Sequence, residues 1–358
     1  MKRYFARWGP NMLKPYQTAQ IKFEIDSEIG QHGRNSQTFL ALDHQLNAKI
    51  AIKKIDKSKL DSPDEFFAES QALYASAHPN VVQIHYSCFD KDYIYVAMPY
   101  YKNKSVKDLI EERYLTVREI IIIGSQTLTG LHNIHSKNLI HFDIKPDNIL
   151  LSDRREALIS DFGLAKQMNF SGIAAQDRIY GKMLPPEATR GEDFEKTFDI
   201  YQFGLTLYRM CNGNEDFNAQ FSKYGPPDNF DLATFKFDLR NGNFPNRSKF
   251  LPHIPKKLRD VIKKCLSISP KDRYQTAIEA SNALAEIEGN HLDWQISVKP
   301  DRNIWTKNEN GTEYELTIFD DSRSLCYKST AGGDRRRVVA ACKALNTDAK
   351  QKKFFADY

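Results

Sequence analysis

The run His141-Phe142-Asp143-Ile144-Lys145-Pro146-Asp147-Asn148-Ile149-Leu150-Leu151 constrains this chain more than any other stretch. A carboxylate, a cation and an amide stand at fixed offsets, at Asp143, Lys145 and Asn148. A strand-like stretch follows, and then Asp161-Phe162-Gly163. Upstream, Val117 to Ser136 carries apolar residues at helical offsets: Ile120, Ile123, Leu128, Leu131 and Ile134. The run thus follows a helical stretch and precedes a strand-like one. A chance turn rich in Asp, Pro and Asn is the plain alternative for either motif alone. The two together, at this separation, argue against it.

At 358 residues the chain is long enough for two or three units with a sizeable core. Its 41% hydrophobic and 27% charged residues are ordinary for a globular protein. The net charge of +5 is too modest to imply nucleic acid or membrane binding. No apolar stretch approaches the ~20 residues a membrane helix needs. The start, Met1-Lys2-Arg3-Tyr4-Phe5, is basic but lacks an apolar core, so a secretory leader is not expected. Cys88, Cys211, Cys265, Cys326 and Cys342 are scattered and form no C-x-x-C pair, which fits reduced thiols and a cytoplasmic location.

Residues 1–19 read as an aromatic, basic arm. Residues 20–98 are strand-rich: Lys22 to Ile25, Thr38 to Ala41, Lys49 to Ile52, Val81 to His85 and Tyr93 to Met98 have strand character. One helix is expected there, Asp64 to Ala77, with Pro63 at its start and His78-Pro79-Asn80 ending it. Residues 99–289 are mainly helical, with helices predicted at Asp199 to Met210, Lys256 to Leu266 and Thr276 to Ile287. Between them Asn212 to Pro255 reads as a long irregular insertion with at most short helices. Composition shifts at Gly289-Asn290, and residues 290–358 read as a small α/β unit. Its predicted elements are strands at Tyr314 to Phe319 and Leu325 to Ser329, then a helix from Asp334 to Leu345 presenting Val338, Cys342 and Leu345 on one face.

The Asp143, Lys145, Asn148 and Asp161 set has the composition that phosphoryl transfer from ATP requires. A carboxylate can accept the proton of an attacking hydroxyl, a cation can reach the transferring phosphate, and two oxygen-bearing groups can hold a divalent metal. The run and the Asp-Phe-Gly triplet resemble the catalytic loop and metal-binding triplet of eukaryotic-like (bacterial-type) Ser/Thr protein kinases. The Asp-x-Lys-x-x-Asn spacing favours Ser/Thr over Tyr kinases. The resemblance covers roughly Phe23 to Ile287. It implies an α+β, bilobal fold with a β-rich N-lobe and a helical C-lobe, here with the small α/β appendage.

The resemblance extends residue by residue. Ile50-Ala51-Ile52-Lys53 is similar to the family's Val-Ala-Ile-Lys strand. Counting from the small Ala51 places Lys53, rather than Lys54, on the inner face. Lys53 would meet the α- and β-phosphates and pair with Glu69 on the following helix. Gly30, Gly33, Ser36 and Thr38 align with the Gly-rich loop over the phosphates, with one extra residue between the first two glycines. Met98 takes the gatekeeper position, and the backbone of Tyr100 would bind adenine. Leu73, Ile84, His141 and Phe162 would stack as a hydrophobic spine. Asp199 resembles the helix-start Asp that ties down the catalytic loop, with Tyr201 where Trp is common. Pro185-Pro186-Glu187 resembles Ala-Pro-Glu, with Arg273 as its ion-pair partner. The implied cofactors are ATP and Mg²⁺ (or Mn²⁺), held by Asn148 and Asp161. The implied partner is a protein substrate, with residues 290–358 a place for a regulatory partner.

Two departures stand out. Phe142 occupies the position of an Arg that, in most of the family, binds a phosphate on the following loop. Between Gly163 and Pro185 the only hydroxyls are Ser171 and Tyr180. The expectation is an enzyme that does not require phosphorylation of that loop. Tyr180 also stands near the usual place of a Thr that contacts the catalytic Asp and Lys. The competing reading is a pseudokinase scaffold that binds nucleotide. The presence of Lys53, Glu69, Asp143, Lys145, Asn148 and Asp161 together argues against it.

Overall fold

A computed structural model describes residues 20–29, 36–60, 67–176, 181–191, 193–321, 323–330, 333–342 and 345–358. The side chains of Glu69 and Ala340 are outside this description. The chain divides into two compact units, residues 1–60 with 85–100, and residues 61–84 with 101–358.

In the first unit, alternating runs pair as an antiparallel sheet: β1 (Phe23–Glu28), β2 (Ser36–Asp43), β3 (Ala48–Asp56), β4 (Tyr86–Phe89) and β5 (Tyr93–Pro99), in the order β1-β2-β3-β5-β4. Thr38, Lys53 and Val96 stand opposite one another, as do Leu40, Ala51 and Met98. Directly opposed residues share a face, so these six side chains line one side of the sheet. The other side carries a core of Ala41, Ile50, Ile52 and Ala97, packed by Phe23, Tyr86 and Tyr95. The Leu46 N–H at 2.8 Å and the Tyr86 hydroxyl at 2.7 Å donate to Asp43 and hold its carboxyl below its usual range.

The second unit is helical: α1 (Ala68–Ala75), α2 (Val106–Glu112), α3 (Val117–Ser136), α4 (Thr197–Asn212), α5 (Asn214–Ser222), α6 (Leu232–Asn241), α7 (Lys256–Cys265) and α8 (Ala277–Ala285). Short strands interleave: β6 (Leu139–Ile140), β7 (Ile149–Leu151), β8 (Ala157–Ile159), β9 (Lys166–Gln167), β10 (Ala174–Ala175) and β11 (Asp193–Phe194). A Thr116/Glu119 capping box starts α3, and its predicted apolar face is buried. All sixteen residues of α4 are buried, as its apolar run suggests. Its Gly204 allows close approach, because a Cβ there would lie 2.6 Å from the Cβ of Cys265.

Two local expectations change, and a third, short helices in 212–255, is met with an added source of order. Val81 to His85 is not a sheet strand. Val81 forms a parallel bridge with Ile159, Val82 donates to Ile159 O at 2.9 Å, and pairing in the first sheet starts at Tyr86. An apolar Val-Val pair is equally suited to burial against β8, and periodicity does not separate the two fates. Helix α1 begins at Ala68 rather than Asp64, and residues 61–66 with Pro63 lie outside the described residues. The 212–255 stretch is organised by rings. Phe221, Tyr224, Phe230, Phe235 and Phe244 make mutual contacts at 5.1–6.3 Å, which order α5 and α6.

The tail is an antiparallel meander: β12 (Gln295–Lys299), β13 (Arg302–Glu309), β14 (Thr312–Phe319), β15 (Ser324–Thr330) and β16 (Arg336–Arg337), followed by α9 (Asp348–Asp357). Its core includes Trp294, Trp305, Leu316, Cys326, Leu345, Phe354 and Phe355. The helix predicted from Asp334 to Leu345 is corrected. That stretch holds β16 and a 3₁₀ turn at Val339–Ala341, and the helix lies further on. The Val338 N–H donates to Cys326 O at 2.9 Å, so sheet pairing takes the segment. Val338, Cys342 and Leu345 still reach one core, by a different backbone path. The Trp305 indole donates to His253 Nδ1 at 3.1 Å, and Arg118 binds Asp293 at 2.6 Å, tying this sheet to the helices.

Candidate active site

The catalytic run leaves β6, crosses a loop, and enters β7 through a 3₁₀ turn at Pro146–Asn148. Its backbone is fixed from α4. Asp199, fully buried, accepts from His141 N at 2.9 Å and Phe142 N at 2.8 Å, and its Oδ2 lies 2.8 Å from His135 Nε2. Three residues along the same helix, Gln202 accepts from Ile144 N at 2.9 Å and donates to Phe142 O at 3.0 Å. Four loop groups are thus satisfied by two side chains spaced i, i+3 on one helix face.

On this frame Asp143 Oδ2 lies 2.7 Å from Lys145 Nζ and 2.7 Å from Asn148 Nδ2. Asn148 Nδ2 also reaches Asp143 O at 2.9 Å. The Asn148 amide nitrogen is therefore committed to Asp143, and its carbonyl oxygen is the atom left to face a cation. Asp161 stands at φ 59°, with Gly163 N donating to its Oδ1 at 3.3 Å. Among the described residues, no group of three or more His, Cys, Asp or Glu side chains gathers around a metal position. Two oxygen donors supplemented by phosphate oxygens and water suit Mg²⁺, which keeps much of its hydration, so the residues present fit the implied ion.

His141 links the two motifs. Its Nδ1 accepts from Asp143 N at 3.3 Å and its Nε2 faces Ser160 O at 3.1 Å, which assigns the proton to Nε2. Burial pushes its pKa down, so the ring is neutral. Its ring meets Phe162 edge-on at 4.9 Å. Of the expected spine, His141 and Phe162 are in contact, Leu73 is buried and Ile84 half-buried.

Phe142 has φ 65°, a left-handed conformation that costs an L-residue of order 1–2 kcal/mol. Its side chain is 1% exposed and lies edge-on to Phe198 at 4.9 Å and Phe194 at 5.9 Å. It is a core residue, where a phosphate-binding Arg would have to face solvent.

In the first unit Lys53 is 8% exposed, on the face with Thr38, Ala51 and Met98. Lys54 points the other way, its ammonium 3.8 Å from the Tyr93 ring centre. Ser36 opens β2 opposite Ile55, and Tyr100 follows the end of β5. Gly30 and Gly33 lie outside the described residues, as does the side chain of Glu69. Elsewhere, Arg273 grips Glu187 with two hydrogen bonds of 2.7 and 2.6 Å. It also reaches Thr197 O at 3.0 Å and stacks over Tyr201 at 4.8 Å. The sequence reading missed Gln202, His135, and the Phe194/Phe198 pair. Only Gln202 carried a signal, its helical offset from Asp199.

A protein kinase domain model matches residues 23–285. The chain is 29% identical over 279 residues to a probable serine/threonine-protein kinase of Clostridium acetobutylicum, covering 76% of this chain and 41% of that protein. It is 30% identical over 274 residues to a probable serine/threonine-protein kinase of Clostridium perfringens, covering 75% and 38%. It is 26% identical over 263 residues to serine/threonine-protein kinase PrkC of Bacillus subtilis, covering 72% and 39%. The chain spans about two fifths of the length of these relatives. The motifs, the loop geometry and a match across most of the chain agree: this chain belongs to the protein kinase family.

Proposed function

We propose that this chain is an ATP-dependent Ser/Thr protein kinase that moves the γ-phosphoryl group to a protein hydroxyl. One observation carries the reading: the Asp143 carboxylate is held 2.7 Å from both Lys145 Nζ and Asn148 Nδ2 on a loop pinned by Asp199. Asp143 orients the acceptor hydroxyl and takes its proton as the oxygen attacks. Lys145 neutralises charge on the transferring phosphate. Asn148 and Asp161 would hold a divalent ion, which would supply positive charge to neutralise the phosphates. Lys53 meets the α- and β-phosphates. Gly30, Gly33, Ser36 and Thr38 cover them, while Ala51, Met98 and the Tyr100 backbone receive adenine. The names of the three kinase relatives and the Asp-x-Lys-x-x-Asn spacing support Ser/Thr over Tyr.

Phe142 supports activity without phosphorylation of the loop between Gly163 and Pro185, since no Arg stands beside Asp143 to bind a phosphate. Among the described residues no helix is long and apolar enough to cross a membrane, which is compatible with a cytoplasmic enzyme. Residues 290–358 offer a surface for a regulatory partner.

The test is incubation with labelled ATP, Mg²⁺ and a cell lysate, beside Asp143→Asn. Label on Ser or Thr, reduced by roughly a hundredfold or more in the variant, is expected. No transfer above the variant would favour a nucleotide-binding scaffold, and label on Tyr would overturn the Ser/Thr assignment. Ser171→Ala should retain activity; a folded but inactive variant would refute independence from loop phosphorylation.

A further inference from the structure

The residue next to the proposed proton acceptor is seated in an apolar cluster. Phe142, Phe194 and Phe198 close a triangle of edge-to-face contacts at 5.9, 4.9 and 5.0 Å. Buried with them are Ile140, at the end of β6, and Ala174 in β10, with Leu164, Met168 and Ala188 packed around. Three pieces of chain meet here. Ile140 and Phe142 belong to the catalytic loop and its approach. Phe198 immediately precedes Asp199, which holds that loop. Leu164, Met168 and Ala174 belong to the segment that follows Asp161-Phe162-Gly163. Phe194 joins the last two, because β11 pairs with β10, Ala174 opposite Phe194.

Phe142 is also the point where a shift would reach the chemistry. Its positive φ sets the direction in which the chain enters Asp143. Both of its peptide groups are bound, N–H to Asp199 and C=O to Gln202. The backbone is held by polar groups and the side chain by rings, so neither alone determines the conformation.

We infer that Phe194 and Phe198 are positioning residues for phosphoryl transfer: through Phe142 they form an apolar latch that seats the segment carrying Leu164, Met168 and Ala174 against the catalytic loop. The latch does with ring packing what a phosphate and an Arg would do with charge, and it needs no modification to close. The inference rests on the kinase reading for its catalytic consequence, but not for its structural one.

Hydrogen exchange and kinetics on the 358-residue chain separate the two. In Phe194→Ala, amides of residues 172–176 and 142–144 should exchange roughly tenfold or more faster, with those of β13–β15 unchanged. Turnover of a Ser/Thr peptide should fall roughly tenfold or more while the dissociation constant for a fluorescent ATP analogue stays within about twofold. Phe194→Leu should recover most of both. If wild type shows no transfer above Asp143→Asn, the kinase reading fails, and the exchange result still decides the latch. The latch is overturned if Phe194→Ala keeps wild-type protection at 172–176, or if protection is lost equally in β13–β15. If Phe194→Ala does not fold, Ala174→Asn introduces a polar group from the segment side and carries the same expectations.

Discussion

Lys53 in the β1–β5 sheet and Lys307 in the β12–β16 sheet are both nearly out of water, at 8% and 5% exposure, yet their surroundings differ in kind. The neighbours registered with Lys53 are Thr38 and Val96, with Ala51 two residues back along its own strand. These are short side chains. Lys307 is paired across the sheet with Tyr314, and its ammonium lies 5.7 Å from that ring and 5.5 Å from Trp294. It donates to Asn290 O and Tyr358 O and pairs with Glu309 at 3.0 Å. A lysine roofed by aromatic rings and backbone carbonyls is a structural cation. The strand neighbours registered with Lys53 supply no such rings. The strand neighbours, more than burial itself, distinguish the two lysines.

The largest effect should come from the first lysine. Lys53→Met is expected to lower turnover by at least about a hundredfold, with the melting temperature little changed. A steady-state assay beside a thermal melt checks this, and a large drop in melting temperature would make Lys53 as structural as Lys307. Next, Trp305→Ala should remove about 3–5 kcal/mol of stability from the tail sheet, because a large ring leaves the core and His253 loses its indole donor. Denaturant unfolding reads the loss, and turnover of the folded fraction should stay near wild type. A proportionate loss of turnover would mean that the two sheets are not independent in function.

The third test uses pH. Burial holds His253 neutral, with its pKa pushed down to about 3; His291, also depressed by burial, adds to the effect. In the unfolded chain His253 takes a proton near its ordinary value of about 6.5, whereas in the folded chain it does not until about pH 3. The unfolded state therefore binds more protons between these values, and stability falls as pH drops through that window. In His253→Asn the urea midpoint should fall less steeply between about pH 6.5 and 4. Parallel slopes would remove His253 from the account. The smallest effect belongs to Lys54→Met: it loses a cation–π contact worth about 0.5–1 kcal/mol, and turnover should change less than twofold. A loss matching that of Lys53→Met would overturn the assignment of faces.

Much of this was legible because the informative residues act locally. Val117 to Ser136 declares a helix by period, and the structure returns those bounds. The choice of Lys53 over Lys54 followed from strand alternation. Asp199 and Arg273 were readable as motif residues, and both meet their expected partners. What escaped depends on distant pairing. Arg302–Glu309 places polar residues on both faces and gives no alternation, but it gains order from the strands on each side. The spacing of Val338, Cys342 and Leu345 suits a helix, but pairing of Arg336 and Arg337 with β15 and the Val338 bond to Cys326 make the segment part of a sheet. The Phe142 cluster joins residues more than fifty positions apart, so nothing local at Phe142 announced its partners.

Helix α4 has no solvent face: every residue from Thr197 to Asn212 is buried. Within it Phe198, Asp199, Gln202, Gly204 and Arg209 all answer to specific neighbours, which are Phe142, the catalytic-loop backbone, Cys265 and Asp147. Such a helix offers no position where sequence can drift freely. Change in one of these residues has to be matched by change in its neighbour, so among related chains this stretch should evolve in coupled pairs rather than one site at a time.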